Sequence, residues 1–123
     1  MTISEAEAVV MDVLWHEAPR SAEAILAEVG PAQGWQEGTV KSLLNRLLRK
    51  KAVHAERDGR RYLYTPLVTR DQYVQQESKG LLDRLFGGRV APLVAHFSEQ
   101  RKLSKKDIVE LRKLLQEFDD DQH

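Results

Sequence analysis

Cysteine is absent from the sequence. Disulfides, thiol nucleophiles and metal sites built on thiolates are excluded with it, and the fold needs no oxidising compartment. Histidine is scarce. His16, His54, His96 and His123 fall on separate predicted elements with no ligand-like spacing between any two, so no metal or cofactor is expected. No apolar run is long enough to span a bilayer, and MTISEAEAV places acids where a secretion signal needs a basic flank and an apolar core. The expectation is a cytoplasmic protein without membrane insertion. No Ser or Thr stands in a motif that would supply it with a base and an oxyanion hole, and the acids are scattered, so an enzyme is not expected. Internal repeats and low-complexity segments are missing too. With 123 residues the chain is one domain, or one domain with a small appendage.

Net charge is zero, but its distribution is uneven. Residues 1–40 hold Arg20 against seven acids, a net of minus six; residues 41–61 hold eight basic residues against Glu56 and Asp58, a net of plus six. Phosphate responds to the local patch within about 8 Å, the Debye length at physiological salt, so this block is a better guide to a partner than the total.

The stretch Trp35–Pro66 contains that block. Val40, Leu43, Leu44, Leu47 and Leu48 recur at the spacing of one buried helix face. Thr39, Lys41, Ser42, Asn45, Arg46, Arg49 and Lys50 are left on the other, a set suited to base edges and phosphates in a major groove. The first turn has two possible starts, with either Gln36 or Thr39 as the cap. Beyond it, Val53–Arg57 and Arg61–Thr65 flank Asp58-Gly59-Arg60, a hairpin signal of type I′. Arg57, Arg60 and Arg61 cluster at its tip. A helix followed by such a hairpin suggests a winged helix.

Around this stretch the chain reads as helices. Ser4 to Glu7 is a capping box that opens helix 1, with Ala6, Val9, Val10, Val13 and Leu14 on its apolar face, ending near His16. Ser21 caps helix 2, which carries Ala22, Ile25, Leu26 and Val29 inward and is expected to stop at Gly30-Pro31. Thr69 to Gln72 is a second capping box, opening helix 4 up to Gly87-Gly88. A short helix 5, interrupted early by Pro92, follows. Ser104 to Asp107 opens helix 6, amphipathic through Ile108, Leu111, Leu115 and Phe118, with a fraying Asp119–Asp121 tail. Helices 4–6 are too short and too few to enclose a core alone. They are expected to pair with a second copy through Leu82, Leu85, Phe86, Val90, Leu93, Val94, Leu111, Leu115 and Phe118. The fold class is therefore mainly α with a small β-hairpin: a winged-helix DNA-binding domain over residues 1–68 and a helical dimerisation region over 69–123.

Four segments together, SEAEAVVMDVLW, TVKSLLNRLLRKK, GRRYLYTPLV and VAHFSEQRKLSKKDIVELRKLL, resemble the penicillinase repressor (BlaI/MecI) family of winged-helix regulators. The resemblance implies a homodimeric repressor of transcription on a palindromic double-stranded DNA operator, tied to antibiotic resistance. It also implies release through a sensor-linked protease that cuts the dimerisation region in response to a cell-wall antibiotic. The family's Asn-Phe cleavage site corresponds here to His96-Phe97, a departure from Asn. The clustered C-terminal cysteines of a copper-sensing branch are absent.

Each surface also has a plainer explanation. The polar helix face could be solvated, but the acids that interleave on such a face are missing from Thr39 to Lys51. The hairpin could merely close the core through Tyr62 and Tyr64. Arg46 could pair with Glu37 or with an acid on helix 1. Lys41, Ser42 and Asn45, in the N-terminal half, are better placed for bases; Arg49 and Lys50 suit phosphates. For Phe97 and Phe118 the plain reading is packing. Two other classes fit the same chain: a ligand-sensing winged-helix regulator, and a winged helix that serves as a protein-protein assembly module.

Overall fold

A computed structural model of the chain describes residues 1–121. In order, the elements are α1 (Glu5–His16), β1 (Arg20–Ser21), α2 (Ala22–Gln33), α3 (Glu37–Arg49), β2 (Val53–Asp58), β3 (Arg61–Pro66), α4 (Arg70–Phe86), α5 (Val90–Glu99) and α6 (Lys105–Asp121). The strands form an antiparallel sheet in the order β1-β3-β2. The architecture is mainly helical with a winged helix. His123 lies outside the described residues.

The Ser4 capping box is formed as its sequence requires: the Glu7 amide donates to Ser4 Oγ, and the Ser4 amide donates to Glu7 Oε1. The buried face of α1 is rotated from the expected one. Glu7, Val10, Met11 and Leu14 lie inward with Val13, while Ala6 and Val9 are only half-buried. The charge on Glu7 hides this pattern from a purely apolar count.

Ser21 caps α2 through a bond from the Ala24 amide, but Gly30-Pro31 does not end the helix. Proline withdraws a single amide from the ladder, and the helix runs on to Gln33. Gly34 ends it at φ 71°, where a left-handed residue lets the Gly34 and Trp35 amides both donate to the Gly30 carbonyl. Gly30 serves close packing instead: a Cβ there would lie 2.7 Å from Leu26 Cδ1. In α3, Gln36 is the cap and Gly38 lies inside the helix. Val40, Leu43, Leu44 and Leu47 are buried and Leu48 half-buried, in line with their spacing.

The hairpin turn is tighter than expected. Asp58 pairs with Arg61, so the loop is Gly59-Arg60. Only Gly59 has positive φ, at 64°, as in a type II′ turn with glycine first, not type I′. β1 is an addition of two residues, too short for periodicity to register; it sets Arg20 opposite Tyr64 and Ser21 opposite Leu63. Arg20 is held by Glu17 at 2.7 Å and Glu28 at 2.8 Å.

Two compact units divide between Gln75 and Gln76, within α4 and not ahead of it. The first turn of α4 stays with the first unit because the Trp15 indole donates to the Val68 carbonyl at 2.8 Å and its ring lies 5.4 Å from Tyr73. Among the described residues, that unit holds the buried side chains: Ile3, Ser21, the inner faces of α1, α2 and α3, Ala52, Val53 and Tyr64.

The second unit comprises the rest of α4 with α5 and α6, and none of these helices contains a buried residue. Its local signals are in place. Gly87 and Gly88 break the chain at positive φ, and Ser104 and Asp107 form a reciprocal cap. Pro92 does not interrupt α5, because it falls in the first turn, where amides have no helical acceptor. Nor does α6 fray before its acids: it continues through Asp121. Leu85, Val90, Leu115 and Phe118 are exposed, and Leu82, Phe86, Leu93, Val94 and Leu111 are half-buried. Val109 and Leu114 are also exposed, outside the expected stripe.

Candidate nucleic-acid interface

Burying Val40, Leu43, Leu44 and Leu47 turns the opposite side of α3 to solvent. Thr39, Lys41, Ser42, Asn45, Arg46 and Arg49 are all exposed there. Among the described residues, Arg46, Arg49 and Arg60 make no ion pair, so their guanidinium groups are available to an anionic partner. Arg46 joins neither Glu37 nor an acid of α1. Glu37 instead reaches Lys41 at 2.8 Å, one turn along the helix, and this bond raises the Lys41 pKa above its ordinary value.

The wing meets this face. Lys41 of α3, Arg60 and Arg61 of the hairpin, Ala22 and Glu23 at the start of α2, and Tyr62 and Tyr64 line one slot of about 200 Å³. Tyr64 is buried, and that burial raises its phenol pKa while Lys41 pulls it down. Tyr62 on the same side of β3 is half-exposed, so of the two tyrosines only Tyr64 closes the core. Arg61 is tethered to Asp58 at 3.2 Å, and Arg57 Nε donates to the Gly59 carbonyl at 3.1 Å. Arg60 is the untethered member of the tip.

Lys50 is the one candidate that the structure removes from this face. Its ammonium lies 2.6 Å from Glu7 Oε1 and donates to the Thr2 carbonyl at 2.7 Å. Burial opposes the charge on Glu7, but the bonds from Lys50 and Ser4 outweigh it and hold its carboxyl below the ordinary carboxylate range. Lys50, whose side chain is a third exposed, is thus paired with α1 from the end of α3. Sequence reading missed this pairing, and it missed Glu23 and Tyr62 as walls of the slot. No local signal marks any of them, since Glu7 and Lys50 are 43 residues apart.

His96 and Phe97 lie within α5. The Phe97 ring stacks edge-on to His96 at 5.4 Å, and His96 lies 6.1 Å from Phe86. Among the described residues no group of three His, Asp or Glu side chains is placed to hold a metal, and no helix is long and apolar enough to cross a membrane.

The family model for penicillinase repressors matches residues 3–117. The chain belongs to the penicillinase repressor family. Its relatives include the penicillinase repressor of Bacillus licheniformis, 31% identical over 94% of this chain and 90% of that protein. The methicillin resistance regulatory protein MecI of Mammaliicoccus sciuri is 31% identical over 92% of each. Among solved structures, the DNA-binding domain of the repressor BlaI matches with a TM-score of 0.54 at 30% identity, covering 58% of this chain and 88% of that one. Bacillus licheniformis BlaI in monomeric form, in complex with the blaP half-operator, matches with a TM-score of 0.52 at 30% identity, over 59% of this chain and 89% of that one. Both matches to this family concern the winged helix.

Proposed function

We propose that this penicillinase repressor family member is a sequence-specific, DNA-binding repressor of transcription that acts as a homodimer on a palindromic operator. One observation carries the reading: Lys41, on the exposed polar face of α3, lines a common slot with Arg60 and Arg61 at the tip of the wing. Thr39, Lys41, Ser42 and Asn45 read base edges, while Arg46, Arg49, Arg60 and Arg61 hold phosphates. The relative bound to a half-operator supports this reading, as does the exposed apolar surface of α4 to α6, which a second copy would cover.

The test is binding to the DNA upstream of the protein's own gene, titrated in salt beside a scrambled duplex of equal length. A preference of about a thousandfold or more with a steep salt dependence is expected. Equal, weak binding to both duplexes would instead favour a protein-protein assembly module.

Release through scission at His96-Phe97 by a sensor-linked protease belongs to the same proposal. The His96 carbonyl accepts from the Gln100 amide inside α5, so scission requires that turn to unwind. Mass analysis of the chain from cells given a cell-wall antibiotic should then find a fragment ending at His96. A second reading, a ligand-sensing regulator, is favoured by a groove of about 380 Å³ between α4 and α5, lined by Leu81, Leu82, Val90 and Leu93. A thermal shift with small aromatic or β-lactam compounds would support it.

A further inference from the structure

Glu7 and Lys50 are an unusual pair to find beneath a nucleic-acid surface. The Glu7 side chain is only 2% exposed, and its Oε1 accepts both the Ser4 amide at 3.0 Å and the Lys50 ammonium at 2.6 Å. The same ammonium donates to the Thr2 carbonyl at 2.7 Å. Lys50 immediately follows α3, and its own amide closes the helix on the Arg46 carbonyl. One side chain thus fastens the end of α3 to α1 and to the segment that leads into α1.

An ion pair with one buried partner is seldom the most stable filling for such a space, since apolar residues of similar volume are often as good or better. What it supplies is direction. The apolar contacts of Val40, Leu43, Leu44 and Leu47 hold α3 against the core but tolerate small shifts along or around its axis; a charged bond of 2.6 Å to a carboxylate oxygen that the Ser4 amide also holds tolerates them much less. Hydrogen bonds to base edges are equally intolerant, whereas phosphate contacts through long cations are forgiving.

We propose that Glu7 and Lys50 are positioning residues: their bond sets the register of α3, and with it the discrimination between DNA sequences, without Lys50 touching DNA. This rests on the DNA-binding reading above. It departs from the sequence alone, which places Lys50 among the phosphate contacts.

The experiment compares the full chain with Lys50→Met, Glu7→Leu and the double variant. Each is titrated in salt with the upstream duplex and the scrambled duplex, at a temperature where melting curves show it folded. Lys50→Met is expected to lose about tenfold or more on the upstream duplex and less than about twofold on the scrambled one, with the same salt slope. A loss equal on both duplexes, with a slope smaller by about one, would make Lys50 a phosphate contact and overturn the proposal. The double variant, with both charges of the pair removed together, is expected to regain stability but not discrimination. Should discrimination return with stability, the pair only supports the fold and the proposal fails; this variant also decides the matter if Lys50→Met does not fold. If the unaltered chain prefers neither duplex, the DNA-binding reading itself fails, an outcome separate from all of these.

Discussion

The two units of this chain solve the burial problem in opposite ways. The first, through Gln75, packs the inner faces of three helices and one side of the sheet into a continuous core. The second also consists of helices with large apolar side chains, yet among its described residues none is fully buried. Burying apolar area is the main favourable term in folding, so a unit that leaves Leu85, Leu114, Leu115 and Phe118 more than half exposed offers apolar surface that a partner could bury. The first unit carries its own stability and displays a polar face. The second displays apolar surface, which in the proposed dimer a second copy covers.

The largest effects should break this contrast at its core. Leu44 is fully buried in α3, and Leu44→Ala is expected to cost about 2–5 kcal/mol in thermal or denaturant unfolding. That cost should not vary with protein concentration. Leu115→Asp, on the exposed stripe of α6, is expected to leave the fold of the first unit intact and to weaken self-association by about 2 kcal/mol or more, read by sedimentation across a concentration series. An equal loss of first-unit stability in both variants would erase the distinction between the units.

Smaller effects sharpen the division of labour within the reading face. Asn45→Ala is expected to cost about 1–3 kcal/mol on the selected sequence and to relax the choice of base at one position. Arg60→Ala should weaken all duplexes alike and flatten the salt slope by about 0.9. Indistinguishable behaviour of the two would remove the assignment of bases to α3 and phosphates to the wing. The last effect is on pH. Glu7 titrates below the ordinary carboxylate range in the folded chain, so its contribution is complete above that range and is lost as pH falls through the lowered value. Glu7→Gln should flatten the acid limb of the stability curve, measured by denaturant melts from neutral pH downward.

What could be read from the sequence follows the range of the interactions involved. The inner face of α3, the Asp58-Gly59 hairpin and the three reciprocal caps at Ser4, Thr69 and Ser104 depend on residues a few positions apart, and the structure contains each. The family resemblance was legible too, in motifs spread along the chain. The inward rotation of α1 toward Glu7, the capture of Lys50 and the pairing of β1 with β3 rest on contacts tens of residues apart, which no periodicity encodes. Pro31 misled for another reason: it is a strong punctuator, but a helix already packed against α1 and α3 can lose one amide bond and go on.

We propose that one unit reads DNA and the other joins two readers. That division is tested most directly by measuring the affinity of the full chain for the palindromic upstream operator and for a duplex carrying only one half-site, both titrated in salt. The palindrome is expected to bind about a hundredfold or more tighter, with roughly twice the salt slope, because the second contact is made from within the same complex. Equal affinity and equal slope on the two duplexes would contradict it.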